Sequence, residues 1–199
     1  GYRRALAIVS KETGQGSLLV AGEAHTYDGP WQVPDRTRKL NTVLRYSQGN
    51  DANGFSITAM AYGNRWTSTD QIPLRAVSAI GRFGSLDPSD GGDASRLSLS
   101  TRWSRSDTDS ASRIEAYAIR STMSLFSNFT YRLSDPANGD QFQQYDKRTL
   151  GGFAMSHVCK GALMGRRIET EIGVQGRADD IRLGLNQTAQ RAPLTTVRH

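Results

Sequence analysis

The segment Arg113–Arg132, RIEAYAIRSTMSLFSNFTYR, constrains this chain most, because it reads as one long strand with two unlike faces. Alternate residues give Tyr117, Ile119, Ser121, Met123, Leu125, Ser127, Phe129 and Tyr131, a largely apolar set with aromatics at both ends. The other parity gives Ala116, Ala118, Arg120, Thr122, Ser124, Asn128 and Thr130, small or polar apart from Phe126. Successive side chains of a strand point to opposite sides, so the pattern predicts one apolar and one polar face. Strands in soluble sheets average about five or six residues, far fewer than this segment holds. From Tyr117 to Tyr131, at ~3.3 Å per residue and ~45° of tilt, the strand covers about 33 Å of a membrane normal. An outer-membrane barrel carries an apolar band about 25 Å tall with aromatic girdles above and below it. Tyr117, Phe129 and Tyr131 are therefore the expected lipid-facing girdle.

Composition points the same way. Hydrophobic residues make up 37% of the 199 residues, the mean hydropathy is −0.53, and Gly is abundant at 20. The longest aliphatic run is Ala5–Val9, well short of the ~20 apolar residues of a spanning helix. A helical membrane protein is excluded, whereas a barrel is not, since alternating strands have ordinary mean hydropathy. The net charge of +6 comes from cations dispersed along the chain, largely on the parity opposite to the aromatics. Nucleic-acid binding calls for a clustered basic patch interleaved with stacking aromatics, so no nucleic-acid partner is expected. Cys159 stands alone and can form neither an internal disulfide nor a CxxC metal site. Gly1–Arg4 runs into strand-like sequence with no leader and no initiating Met, which predicts a fragment of a longer protein.

Eight strand-like segments follow one another, separated by turn chemistry: Leu6–Glu12, Ser17–Tyr27, Lys39–Ser47, Phe55–Trp66, Ala94–Arg105, Arg113–Arg132, Phe142–Val158 and Arg167–Ala178. A ninth is expected from Asp179, with Ile181, Leu183 and Leu185 on one parity. The connections at Thr13–Gly16, Gln48–Gly54, Ser106–Ala111 and Cys159–Arg166 are short and rich in Gly, Asn and Asp. Those at Asp28–Arg36, Thr67–Gly92 and Ser134–Gln141 are longer or carry Pro. Short turns at one rim and longer loops at the other are the outer-membrane arrangement. No helical periodicity persists for more than two turns. Parity divides the third segment into Leu40, Thr42, Leu44 and Tyr46 against Lys39, Asn41, Arg45 and Ser47. It divides the fifth into Leu97, Leu99, Thr101 and Trp103 against Arg96, Ser98, Ser100 and Arg102. The fourth is ambiguous, with Met60, Tyr62 and Trp66 against Phe55, Ile57, Ala59 and Ala61. A soluble antiparallel sandwich that binds carbohydrate or protein also alternates and stays the alternative from another class.

Several stretches closely resemble the barrel region of TonB-dependent outer-membrane receptors. They are YGNRWTSTDQ with IPLRAV (Tyr62–Val77), RFGSLDPSDGGDASRLSLSTRW (Arg82–Trp103) and LFSNFTYRLSDPANGDQFQQYDKR (Leu125–Arg148), with GEAHTYDGPW (Gly22–Trp31) upstream. The resemblance implies an all-β segment, about eight or nine up-and-down strands of a 22-stranded transmembrane barrel in the Gram-negative outer membrane. It also implies active uptake of a scarce small molecule, such as a siderophore or carbohydrate, through a barrel closed by its own plug. Energy would come from the inner-membrane TonB complex. Neither plug nor TonB box is present in these residues, and the chain ends at Arg198–His199 without a terminal aromatic strand. A passive porin-like barrel is the alternative within the transport class. On a barrel the polar parity becomes the lumen wall, with Glu23, Lys39, Arg45, Arg96 and Arg102 as candidates from the first five segments. Arg120, Arg148, Glu171 and Arg177 are those from the last three. Lipid, plug and TonB complex are the implied partners.

No catalytic constellation, metal site or cofactor is expected. His25, His157 and His199 sit in neither an HExxH nor a Ser/His/Asp pattern. Asp87, Asp90 and Asp93 are three apart but lack EF-hand spacing, and reading them as turn residues bonding their own backbone is the better account.

Overall fold

A computed structural model describes residues 1–198. The chain is all-β: nine antiparallel strands in sequence order make one sheet, each paired to the next. They are β1 (Tyr2–Thr13), β2 (Gly16–Tyr27), β3 (Thr37–Gly49), β4 (Gly54–Thr67), β5 (Gly91–Ser106), β6 (Ser110–Ser127), β7 (Phe142–Leu163), β8 (Arg166–Ala189) and β9 (Ala192–Arg198). The sheet does not close, and β1 and β9 are its edges. No helix among the described residues is long and apolar enough to cross a membrane. The helical turns Leu74–Ala76 and Val77–Ile80 both lie in the β4–β5 loop.

Local chemistry fixes the hairpins. Thr13 pairs with Gly16 around a two-residue turn whose first residue, Gly14, has φ +62°. Leu163 pairs with Arg166 around Met164 (φ 53°) and Gly165 (φ 77°), both left-handed, as a type I′ turn requires. The Asn50 side chain accepts bonds from the backbone N–H groups of Ala52 and Asn53, and Asp107 does the same for Asp109 and Ser110. These four turns share one rim. Residues 28–36, 68–90 and 128–141 share the other, as expected, joined there by the Gln190–Arg191 turn between β8 and β9.

Three expectations about strand ends are corrected. The residues after Asp179 do not begin a ninth strand: Ile181, Leu183 and Leu185 continue β8 against β7, and β9 starts at Ala192. Cys159–Leu163 extends β7, because only Met164 and Gly165 take the positive φ that reverses the chain. β6 stops at Ser127, since Asn128 turns the chain by accepting the backbone N–H of Tyr131, itself at φ 60°.

There is almost no apolar core. Phe126 is the one buried hydrophobic side chain among the described residues, while Val9, Leu44, Leu97 and Leu99 are each about half exposed or more. Backbone ladders hold the sheet together, and its two faces lie open.

Candidate functional site

Cross-strand register assigns each residue to a face, because directly opposed residues share a side. One row runs Val9, Val20, Leu44, Ala59, Leu99, Ala118, Gly151, Ala178 from β1 to β8. Flanking rows on that face add Leu40 and Leu97 on one side, and Ile57, Phe55, Trp103 and Ile114 on the other. This is the apolar face. The opposite face carries rows such as Glu23, Asn41, Tyr62, Arg96, Ser121, Arg148, beside the largely apolar row Ile8, Ala21, Val43, Met60, Ser98, Ile119, Leu150, and with its many charges it is the more polar of the two.

Of the nine residues expected on the polar face, the register places eight there: Glu23, Lys39, Arg45, Arg96, Arg102, Arg148, Glu171 and Arg177. Arg120 is the exception. It opposes Leu97 and belongs to the apolar face. The expected girdle is corrected as well. Tyr117 opposes Ser100 and Gly152, on the same face as Arg45 and Arg177, and a Cβ on Gly152 would lie 2.6 Å from its hydroxyl. Phe129 and Tyr131 are off the strand, in the β6–β7 loop, where Phe129 packs against Phe142 with ring centroids 5.7 Å apart. The large residues of β6 misled the parity reading. Its apolar face carries Ile114, Ala116 and Ala118, whereas its bulky Tyr117, Ile119 and Met123 stand on the opposite face, across from Ser100, Ser98 and Ala94 of β5.

Charges on the polar face pair locally. Glu23 accepts from Arg4 at 2.7 Å and from Asn41 at 3.1 Å, and Lys39 lies 3.9 Å away. Arg148 bonds Asp146 at 2.6 Å and Arg177 bonds Asp179 at 2.8 Å, each two residues along its own strand, and Arg102 reaches Asp51 in the β3–β4 turn. Three expected residues of this face, Arg45, Arg96 and Glu171, make no ion pair among the described residues. These pairs neutralise part of the wall locally.

The buried chemistry lies at the long-loop rim. Gln141, 1% exposed, donates from Nε2 to Asp90 at 3.0 Å and to Ser89 at 2.8 Å. Its Oε1 accepts from Thr188 at 3.0 Å and from the Arg191 backbone at 2.8 Å. The Arg191 guanidinium donates to the carbonyls of Ser89 and Asp90 and stacks over Phe126 at 5.2 Å. Asn128 donates to Asp87 at 2.7 Å. Three connections are tied through these side chains. Burial, then the charges of Asp87 and Asp70, pushes the Asp90 carboxyl up to about 7. Oδ2 of Asp90 and Oδ2 of Asp70 are buried with no other partner. Asp140 sits oppositely: backbone N–H groups led by Ser134 hold it below its ordinary range, as those of Asn138 and Ala137 hold Asp135. Asp87 bonds Ser89 as an Asx turn, as expected, but Asp93 stands apart on the apolar face opposite Arg65.

Among the described residues no cluster of three or more His, Cys, Asp or Glu side chains is arranged to hold a metal. His157 shares a hydrogen bond with Ser112 at 2.8 Å, and no carboxylate orients it. His199 lies outside the described residues. Gln141, Thr188 and Arg191 escaped the sequence reading: apart from Gln141's place beside the turn-rich DPANGD, nothing local marks them. No family model, curated protein or solved structure matches this chain.

Proposed function

We propose that this chain is a segment of a TonB-dependent receptor barrel in the outer membrane of a Gram-negative bacterium. Its apolar face lies against lipid and its polar face lines a plugged lumen. One observation carries the reading: the charge-free belt of the apolar face runs obliquely to the strands. On β1 the belt lies between Arg3 and Lys11 and centres on Ala7; on β5 it lies between Asp93 and Arg105 and centres on Leu99. On β8 it lies between Arg166 and Asp180 and centres on Gly173. Following the register from Ala7 leads to Leu97 on β5 and to Asp180 on β8. The belt centre thus drifts two residues by β5 and seven by β8, from 180 to 173, over seven strand steps. Averaged over the seven steps, one residue per step (half that from β1 to β5, more from β5 to β8) is ~3.3 Å along the strand for ~4.8 Å across it, an angle of about 35°. Barrel strands tilt by about 35–45° from the axis, so a belt at this angle lies level in a membrane. Its height between flanking charges is about 22 Å on β1, about 33 Å on β5 and about 38 Å on β8, against a ~25 Å band.

The coreless sheet supports the same reading, since a soluble sandwich covers its apolar face with a second sheet. Within the proposal the protein takes up a scarce small molecule through a lumen gated by a plug and energised by TonB. The porin alternative is separated by conductance. The full-length protein in a planar bilayer is expected to carry no steady current, and deleting its plug is expected to open a large pore. Steady current from the intact protein would favour the porin. Failure to insert at all would overturn both.

A further inference from the structure

The apolar face carries a charge pattern that the polar face lacks. Its strand cations sit at the margins of the belt, Arg3, Arg38, Arg65, Lys147 and Arg182 toward the long loops, except Arg120, which lies further in, opposite Leu97. Lys11, Arg105 and Arg166 flank it toward the short turns. Asp93 and Asp180 are the carboxylates of this face among the described strand residues. Every glutamate of the chain (Glu12, Glu23, Glu115, Glu169 and Glu171) stands on the polar side.

Within the long-loop margin Arg38 stands directly opposite Arg65, and Lys147 directly opposite Arg182. Like charges directly opposed across a sheet destabilise it unless an anion lies between them. Arg3, Arg38, Arg65, Arg120 and Lys147 make no ion pair among the described residues; Arg182 lies 3.8 Å from Asp180. Asp93 faces Arg65 across β4–β5 without an ion pair, and the Asp28 carboxylate near Arg3 and Arg38 bonds the Gly1 amino group at 2.8 Å.

We propose that this margin binds the phosphate groups of lipid headgroups, with Arg38 and Arg65 as the central pair and Arg3 beside them. The inference rests on the belt facing lipid. Acyl chains then lie over Leu40, Leu44, Leu97 and Leu99, and the headgroup falls at the height of the arginines. The guanidinium fork matches phosphate oxygens in a bidentate way, and bridging by one phosphate removes the repulsion between the opposed pair.

The test uses the full-length protein in phosphatidylcholine bilayers, with spin-labelled phosphatidic acid or phosphatidylcholine reporting the immobilised lipid shell. Phosphatidic acid is expected to be enriched in the shell about fivefold, the effect of roughly one basic side chain near the surface. Arg38→Gln with Arg65→Gln should lower that enrichment at least about threefold, while the two Lys replacements keep most of it. In the unaltered protein the enrichment should fall with added salt and persist in about 10 mM inorganic phosphate. Unchanged enrichment in the Gln variant, with normal immobilised phosphatidylcholine, overturns the inference and leaves the belt intact. Salt-independent enrichment also overturns it, and loss of enrichment in inorganic phosphate shows a free-ion site instead. No immobilised lipid of either kind would contradict the belt reading itself.

Discussion

The strand body and the long-loop rim of this molecule are built on opposite terms. In the body, hydrophobic side chains such as Val9, Leu97 and Ile172 stand mostly exposed, and charges pair at the surface. At the rim, Asp90, Gln141 and Thr188 are buried polar groups bonded to one another, and the buried Asn128 bonds Asp87. The rim bonds largely within itself, leaving Oδ2 of Asp70 and Asp90 unpartnered; the body depends on what covers it. Burying an unpaired polar group costs more than a made hydrogen bond returns, so the rim network is held as a unit. Exposed apolar surface on this scale marks a face built for lipid or a partner.

The largest expected effect separates position from hydrophobicity. Ala118 lies on the apolar row with Leu99, and Ile119 lies on the polar face with Ser98. In the membrane-inserted protein, Ala118→Arg should cost about 2–4 kcal/mol near the midplane. Ile119→Arg should cost far less, although it removes the larger apolar side chain. Urea titration of the vesicle-inserted protein measures both, and the reverse order would break the assignment of faces.

Next comes the rim. Gln141→Ala strips partners from Asp90, Thr188 and the Arg191 backbone at once, and should cost about 2–3 kcal/mol. The loss should be local. Amide exchange should accelerate in the 68–90 and 128–141 connections and stay unchanged in the belt rows of β3–β5. Uniform acceleration would mean that rim and body unfold together.

Much of this division was legible beforehand, and the reasons for the exceptions are physical. Period-two alternation in β3 and β5 predicted both faces, because those strands alternate Leu with Arg or Lys. β6 was read inverted, since alternation gives two sets and only the pairing with β5 says which set joins which face. Its parity was assigned by size, and Tyr117, Ile119 and Met123 outweighed Ala116 and Ala118. Turn chemistry located the first seven reversals but neither the Gln190–Arg191 turn nor every strand end, as β7 runs on to Leu163 and β8 to Ala189. Eight of the expected polar-face residues came out correctly placed. The Gln141 network did not, because its partners lie 47 to 52 residues away and contact at that separation leaves no local pattern.

A smaller effect is a pH dependence confined to the rim. The folded Asp90 carboxyl is raised from 3.8 to about 7, so its contribution is fully present below about pH 4 and is lost as pH rises through 7. Asp135 and Asp140, held low, act with the opposite sign and lose their contribution as pH falls below the ordinary carboxylate range. Protease nicking of the 68–90 loop should therefore increase from pH 5 to 8, and Asp90→Asn should flatten that rise. A rise that survives Asp90→Asn would assign it to another group.

The smallest effect is expected on the polar face, where Arg148→Gln removes a solvent-exposed pair with Asp146 and should leave unfolding unchanged. A clear loss there would mean that the face is desolvated, as it is not in this structure.

The most direct test of the central claim is a cysteine scan through β5 in the full-length protein, at Leu97, Ser98, Leu99, Ser100 and Thr101, after Cys159→Ser. Each site carries a fluorophore, in bilayers made with or without brominated acyl chains. The account predicts strong quenching by brominated lipid at Leu97, Leu99 and Thr101 and little at Ser98 and Ser100. Uniform quenching, or none at any site, would contradict it.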